Sequence, residues 1–388
     1  MSKVQRCETL IMLVGGNPLP NYIAAVTLTP KRVVMLYTCE TKRVRERLEN
    51  LLKEKLYSVI IDAVYVSKDS ARDIREKVAR NVTPGAYLNY TGGTKNMAAQ
   101  ARLAFREEYE SMGGGDDRFA FYVEESRELI LYDNGYQTKF GEKAVLSLKE
   151  IAKLHEVNIK EYKQLVKGGP TQDDVRAIMG AELDKPGFLK RELKEFWNLL
   201  NHKDVSCHPL RPETLGISLS VDQIPGPDWP SKRLEVWKEF LNDKWLELWM
   251  VHILEQIVGD SPYWSVYCEI GDEKRPFEVD IVLVRGCRLH AISCTTSPAI
   301  KDCKLKLFEV GQRARQLGGD LARAALVTIV GAYGEEAGQS KVDQLQQDVA
   351  SVWDAPNKPK VFGLADLREW FGYQQPPRLD SLKDWLDV

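Results

Sequence analysis

Apolar positions in the first third of the chain gather into short runs with amphipathic stretches between them. Thr9 to Val14, Arg32 to Tyr37, Ser58 to Val66 and Ala86 to Tyr90 are strand-length runs. Lys42 to Leu56 and Ala71 to Ala79 carry apolar residues at helical spacing. Strands separated by helix-length segments predict an α/β fold whose parallel sheet is covered by helices on both faces. Phe119 to Val123 and Leu129 to Tyr132, joined through Glu124 to Glu128, predict an antiparallel hairpin extending that sheet.

From about Leu146 to Pro230 the pattern changes. Ser147 and Glu150 have the spacing of a capping box and open a helix. The run on to Tyr162 resembles a helix-turn-helix, and Gly168 to Pro170 and Pro209 to Pro230 are loop-rich, so residues 146–230 are expected to be a connector. A long helix is then predicted over about Ser231 to Val258. Strands follow at Tyr263 to Ile270, Pro276 to Arg285 and Arg288 to Cys294, with a hairpin turn at Arg285-Gly286-Cys287. A helix from about Lys301 to Leu317 stops at Gly318-Gly319, and Ala322 to Val330 supplies another strand. The expectation is three parts: an α/β domain over 1–145, the connector, and a smaller α/β domain over 231–388.

Composition narrows the class without naming it. The 388 residues, 44% apolar and 28% charged, are enough for two or three domains with their own cores. Net charge is −2, so any contact with a polyanion must come from a local patch. Seven cysteines without a CxxC pair fit a reduced protein better than a disulfide scaffold or a zinc module. The apolar runs are strand-sized and the N-terminus lacks a signal-peptide core, so the expected location is the cytoplasm.

Two clusters carry candidate chemistry. Asn89-Tyr90 leads into Thr91-Gly92-Gly93-Thr94-Lys95-Asn96, followed by an alanine-rich helix. Two glycines allow a tight turn and a close ligand, and the helix offers unpaired N–H groups, a chemistry suited to phosphates. The spacing fits neither a Walker loop nor a dinucleotide fingerprint. In a parallel sheet, Gly15-Gly16-Asn17-Pro18 and the loop from Thr38 to Thr41 would meet it outside the carboxyl ends of the strands. The second cluster is acidic. Glu278 and Asp280 lie two apart on one strand and face the same way, and Glu247 is flanked by core residues on the long helix. A few carboxylates of this kind hold Mg²⁺ or Mn²⁺ at a phosphate. A plainer alternative makes Glu278 and Asp280 surface residues paired with Lys274 or Arg275.

Together these elements resemble the CARF-domain nucleases of type III CRISPR systems, ancillary effectors switched on by cyclic oligoadenylate. Asn89-Tyr90-Thr91-Gly92-Gly93-Thr94-Lys95 and Gly15-Gly16-Asn17 match the sensor, and Trp245 to Val330 resembles a restriction-endonuclease-like PD-(D/E)xK domain. The resemblance implies a homodimer that binds cyclic tetraadenylate and, with Mg²⁺ or Mn²⁺ on Glu247, Glu278 and Asp280, cleaves DNA and/or RNA. Lys95 and the amides of Gly92 to Asn96 would hold phosphates, while Asn17, Thr38 and Asn89 would address bases or riboses.

The chain departs from the nuclease motif where an acid and a lysine should stand two apart. It has Ser293-Cys294-Thr295 there, with Ser293 still a candidate in the site. A lysine relocated to the next helix, Lys304 or Lys306, is expected to do the missing work, with Glu309 as a possible extra acid. Alternatively these lysines form a solvated helix face. Arg285 and His290 meet the RxxxxH spacing of HEPN ribonucleases, but that motif works from a helix and these flank a hairpin turn. The rival reading of the whole is a ligand-responsive DNA-binding regulator whose nuclease-like domain has lost catalysis.

Overall fold

A computed structural model describes residues 7–113, 119–123, 128–131, 136–139, 144–163, 168–194, 209–226, 228–271, 275–331, 335–353 and 357–387. Two sheets organise them. The first has seven strands in the order β3-β2-β1-β4-β5-β6-β7: β1 (Thr9–Leu13), β2 (Arg32–Tyr37), β3 (Ile60–Tyr65), β4 (Ala86–Asn89), β5 (Phe119–Val123), β6 (Glu128–Leu131) and β7 (Tyr136–Lys139). The first five run parallel and the last two antiparallel. The third strand of that antiparallel extension, β7, was not expected. Connections 124–127 and 132–135 lie outside the described residues.

Helices α1 (Leu19–Leu28), α2 (Lys42–Lys55), α3 (Ala71–Ala79) and α4 (Lys95–Ser111) connect the parallel strands. β1 and β4 are buried along their whole length, as strands covered on both faces must be. All loops leaving parallel strands at their carboxyl ends emerge on one edge, which brings the three expected loops together.

The second sheet has the order β13-β12-β11-β10-β9-β8: β8 (Val157–Lys163), β9 (Tyr263–Ile270), β10 (Arg275–Arg285), β11 (Arg288–Thr295), β12 (Arg323–Thr328) and β13 (Lys360–Phe362). Here the expected helix-turn-helix fails. The capping box of Ser147 and Glu150 does open a helix, α5 (Leu148–Leu154). The next element is β8, which pairs antiparallel with β9 through Val157↔Ile270 and Ile159↔Cys268. Val157 and Ile159 alternate with polar neighbours, a period-two signal that two residues are too few to make decisive. The connector segment therefore contributes an edge strand to the second sheet.

The remaining helices are α6 (Gln172–Asp184), α7 (Phe188–Glu192), α8 (Ser231–Glu239), α9 (Trp245–Val258), α10 (Ile300–Gly318), α11 (Glu335–Val352), α12 (Leu364–Phe371) and α13 (Asp380–Leu386). The expected long helix exists in two parts, because a π-helical turn, Phe240–Lys244, separates α8 from α9. One core joins the two sheets: Leu10, Met12, Tyr22 and Tyr87 from the first pack in the same cluster as Ile151, Val279, Ala314 and Leu317. A second core, rich in tryptophan, lies between the second sheet and α6, α9 and α12. Among the described residues no helix is long and apolar enough to cross a membrane.

Candidate functional site

At the first sheet's carboxyl edge the glycines of two loops meet backbone to backbone. A Cβ on Gly92 would lie 2.2 Å from the Leu13 carbonyl oxygen, and one on Gly15 would lie 2.9 Å from the Gly93 nitrogen. Gly93 holds φ +77°, a conformation open to glycine at little cost. Thr94 then caps α4, its hydroxyl accepting from the Met97 N–H at 3.2 Å. Gly93, Thr94, Lys95 and Asn96 are exposed along this rim, and Gly16 is exposed beside them, with Gly15 and Thr91 partly covered. The Asn96 amide is tied to the Lys68 carbonyl at 2.8 Å.

Three expected ligand contacts are spent inside the protein. Asn89 is buried; its amide nitrogen donates to Asn21 Oδ1 at 2.9 Å, and its oxygen accepts from the Thr91 N–H at 3.1 Å and hydroxyl at 2.8 Å. It shapes the turn. The buried Thr38 donates to Glu40 at 2.8 Å and stays within its own loop. Asn17 Oδ1 accepts from the Leu19 N–H at 3.1 Å, next to the buried Pro18. A Cβ added to Gly319 would lie 3.0 Å from that oxygen, so Asn17 meets the second half of the chain.

The acidic residues do converge. Register Ile281↔Ile292 sets Asp280 beside Ser293, whose hydroxyl donates to Asp280 Oδ2 at 2.8 Å; the Cys294 N–H donates to the same oxygen at 2.8 Å. Glu247 enters from α9 and is 4% exposed, accepting from Trp264 Nε1 at 2.8 Å and from Lys244 Nζ at 2.7 Å. Glu278 accepts from Ser265 Oγ at 2.8 Å and lies 3.8 Å from Lys244 Nζ. Ser265 is fully buried with φ +47°, a left-handed backbone that only a constrained surrounding sustains.

Electrostatics confirm how close the groups are. Burial, and then the charge of Asp280, push the Glu247 carboxyl up to about 7 against the pull of Lys244 and Trp264. Burial opposes the charge on Lys244, yet Glu247, Asp280 and Glu278 together hold its ammonium above the ordinary lysine range. Burial first, then Asp280 and Glu247, raise the Cys294 thiol well above its usual range. Cys287, Cys294 and Cys303 are all buried, as expected of core residues.

Geometry separates the candidate lysines. Lys306 Nζ stands 3.8 Å from Asp280 Oδ2 and donates to the Cys294 carbonyl at 3.3 Å. Lys304 is turned to Asp348 on α11 at 3.0 Å, away from the acids. Glu309 is exposed and 3.7 Å from Arg313, outside the cluster. Helical phase explains the split, since Lys304 and Lys306 lie about 200° apart around α10. Lys274, the suggested partner of the strand acids, lies outside the described residues. Arg285 and His290 lie on the two strands of the hairpin, and His290 is buried against Trp385.

Lys244, Trp264 and Ser265 were not anticipated. A signal existed for Lys244, which precedes Glu247 by three residues, the spacing at which helical side chains meet. The carboxylates are hard oxygen donors of the kind Mg²⁺ and Mn²⁺ take. Among the described residues, however, no group of three or more His, Cys, Asp or Glu is arranged to hold a metal ion. The donor set fits a divalent cation in kind, with an ammonium standing among its oxygens.

No protein-family model matches the chain, and no curated protein does. Solved structures do. Can2 from Sulfobacillus thermosulfidooxidans, in complex with cyclic tetra-adenylate, matches over 99% of this chain and 98% of its own, with a TM-score of 0.68 and 16% identity. Protein VC1899 from Vibrio cholerae matches over 99% of both chains, with a TM-score of 0.68 and 12% identity. A type III CRISPR defence DNA nuclease activated by cyclic oligoadenylate matches over 92% of this chain and 53% of its own, with a TM-score of 0.52 and 18% identity. The chain has the CARF-type α/β fold that its sequence resemblance implied.

Proposed function

We propose that this protein is a nuclease of type III CRISPR defence, switched on by cyclic tetraadenylate and dependent on Mg²⁺ or Mn²⁺, that cleaves DNA and/or RNA. The observation that carries the reading is the convergence of Glu247, Glu278 and Asp280 from one helix and one strand, with Lys306 on the far side of Asp280. A fold shared along nearly the whole length of a cyclic tetra-adenylate complex supports the sensor. Residues 1–145 would bind the activator across the two-fold axis of a homodimer, each subunit offering Gly16, Gly93, Thr94, Lys95 and Asn96 at the rim.

In the second half, Asp280 and Glu278 would hold the cation together with Glu247 once its carboxylate is released. The cation supplies charge stabilisation at the scissile phosphate. Ser293 and the Cys294 N–H fix one oxygen of Asp280, so that the other can face the site. Lys306 would orient a water beside Asp280, the task of the missing motif lysine. To act as a switch, the activator must favour the cutting arrangement by about 5.5 kcal/mol to move a population from 1:99 to 99:1.

The test is incubation of plasmid and RNA with the protein, with and without cyclic tetraadenylate and Mn²⁺. Cleavage is expected only with both, and loss of at least about a hundredfold in Asp280→Ala, the scale on which one preorganised transition-state contact counts. Cleavage indifferent to Asp280→Ala would overturn the reading.

A further inference from the structure

The acidic cluster already contains a cation, and it is part of the chain. Lys244 is the last residue of the π-helical turn before α9. Its Nζ donates to Glu247 Oε1 at 2.7 Å and lies 3.8 Å from Glu278 Oε1, with its side chain only 18% exposed. The other Glu247 oxygen is taken by Trp264 Nε1. An ionised carboxylate this deeply buried is costly unless paired, so without a metal the site needs a counter-charge.

We propose that Lys244 is an internal placeholder, its ammonium occupying the divalent-cation position among Glu247 and Glu278 until the metal displaces it. The inference rests on the nuclease reading given above and adds to it a competitor for the metal. Lys244 has somewhere to go. It lines a cleft of about 570 Å³ together with Glu235, Glu239, Tyr162 and Lys232. Glu239, one turn back on the same helical segment, already accepts from Lys163 at 2.5 Å across that cleft. An ammonium swung out of the cluster would meet carboxylates again, so displacement exchanges one paired state for another. Lys306 is a different case: at 43% exposed, it approaches Asp280 from the opposite side and can stay when a cation enters.

The experiment uses the full chain without activator or nucleic acid. Mn²⁺ affinity is measured by calorimetry for the wild type, Lys244→Met, Lys244→Arg and Asp280→Ala. Lys244→Met should bind at least ten times more tightly than wild type, Lys244→Arg should stay close to wild type, and Asp280→Ala should abolish binding. In chelator, Lys244→Met should melt at a lower temperature than wild type, and saturating Mn²⁺ should close that gap.

A second measurement needs no variant. Mn²⁺ should increase acetylation of Lys244 in the wild type, read by mass spectrometry against Lys232 at the same cleft. If binding depends on Asp280 but neither the Lys244→Met affinity nor Lys244 labelling changes, the placeholder is wrong and the metal site stands. No Mn²⁺ binding by wild type or Lys244→Met overturns both.

Discussion

Single residues divide the lysines of this protein by what each one faces. Lys306 and Lys304 are two positions apart on α10, yet one lies 3.8 Å from Asp280 and the other pairs with Asp348. Lys306→Ala should therefore lower activator-dependent cleavage by tenfold or more, within the range of general acid–base contributions. Lys304→Ala removes only an exposed ion pair and should leave the rate within a factor of about two. A steady-state cleavage assay at saturating activator separates them, and equal effects would refute the assignment. The pair also shows where sequence stops. Both lysines were legible as candidates because the motif position holds Thr295, whereas choosing between them required helical phase, which one residue of error in a helix start would reverse.

Elements explain how the two halves can communicate. α10 has 19 residues and spans roughly 28 Å. Near its start Lys306 faces Asp280. At its end Gly319, with φ +68°, would bring an added Cβ 2.5 Å from His155 Cε1 and 3.0 Å from Asn17 Oδ1. One rigid helix thus touches the nuclease cluster and the loop after β1. Gly319→Ala forces a side chain into that junction. Activator affinity should remain within a few-fold while stimulated cleavage falls at least tenfold; parallel loss of both would mean that α10 is structural only. The same scale accounts for the misread helix. Ser231 to Val258 carries helical periodicity throughout, and a π-turn leaves that pattern nearly intact because it adds a single residue to one turn.

Over the whole molecule, the two sheets share one core and enclose a polar junction. Gly16, Asn17, His155, Arg315 and Asp320 line a cavity of about 790 Å³ between them. His155 Nε2 is buried there and has no hydrogen-bond partner. Burial, and then Arg47, lower its pKa to about 4 despite Asp320. A depressed histidine stabilises the fold while it is neutral in both states, above about 6.5, the ordinary value. That stability is lost as pH falls through the window down to about 4, where the unfolded chain takes up the proton first. His155→Gln should flatten the fall in melting temperature between pH 6.5 and 4, as followed by circular dichroism. An unchanged slope would show that the group is solvated.

Much of this protein could be read from local pattern, because local pattern is what short-range physics writes into a chain. Apolar runs of strand length, the Gly92-Gly93 turn, the Thr94 cap and the in-phase acids Glu278 and Asp280 each depend on a few neighbouring residues. Tertiary structure alone decided what depends on distant partners. It made Val157–Lys163 an edge strand because β9 lay open beside it, and it drew Asn89 and Thr38 inward to satisfy buried polar groups. It placed Lys244 among carboxylates from α9 and β10, since a buried charge must find its opposite wherever the fold brings one within reach.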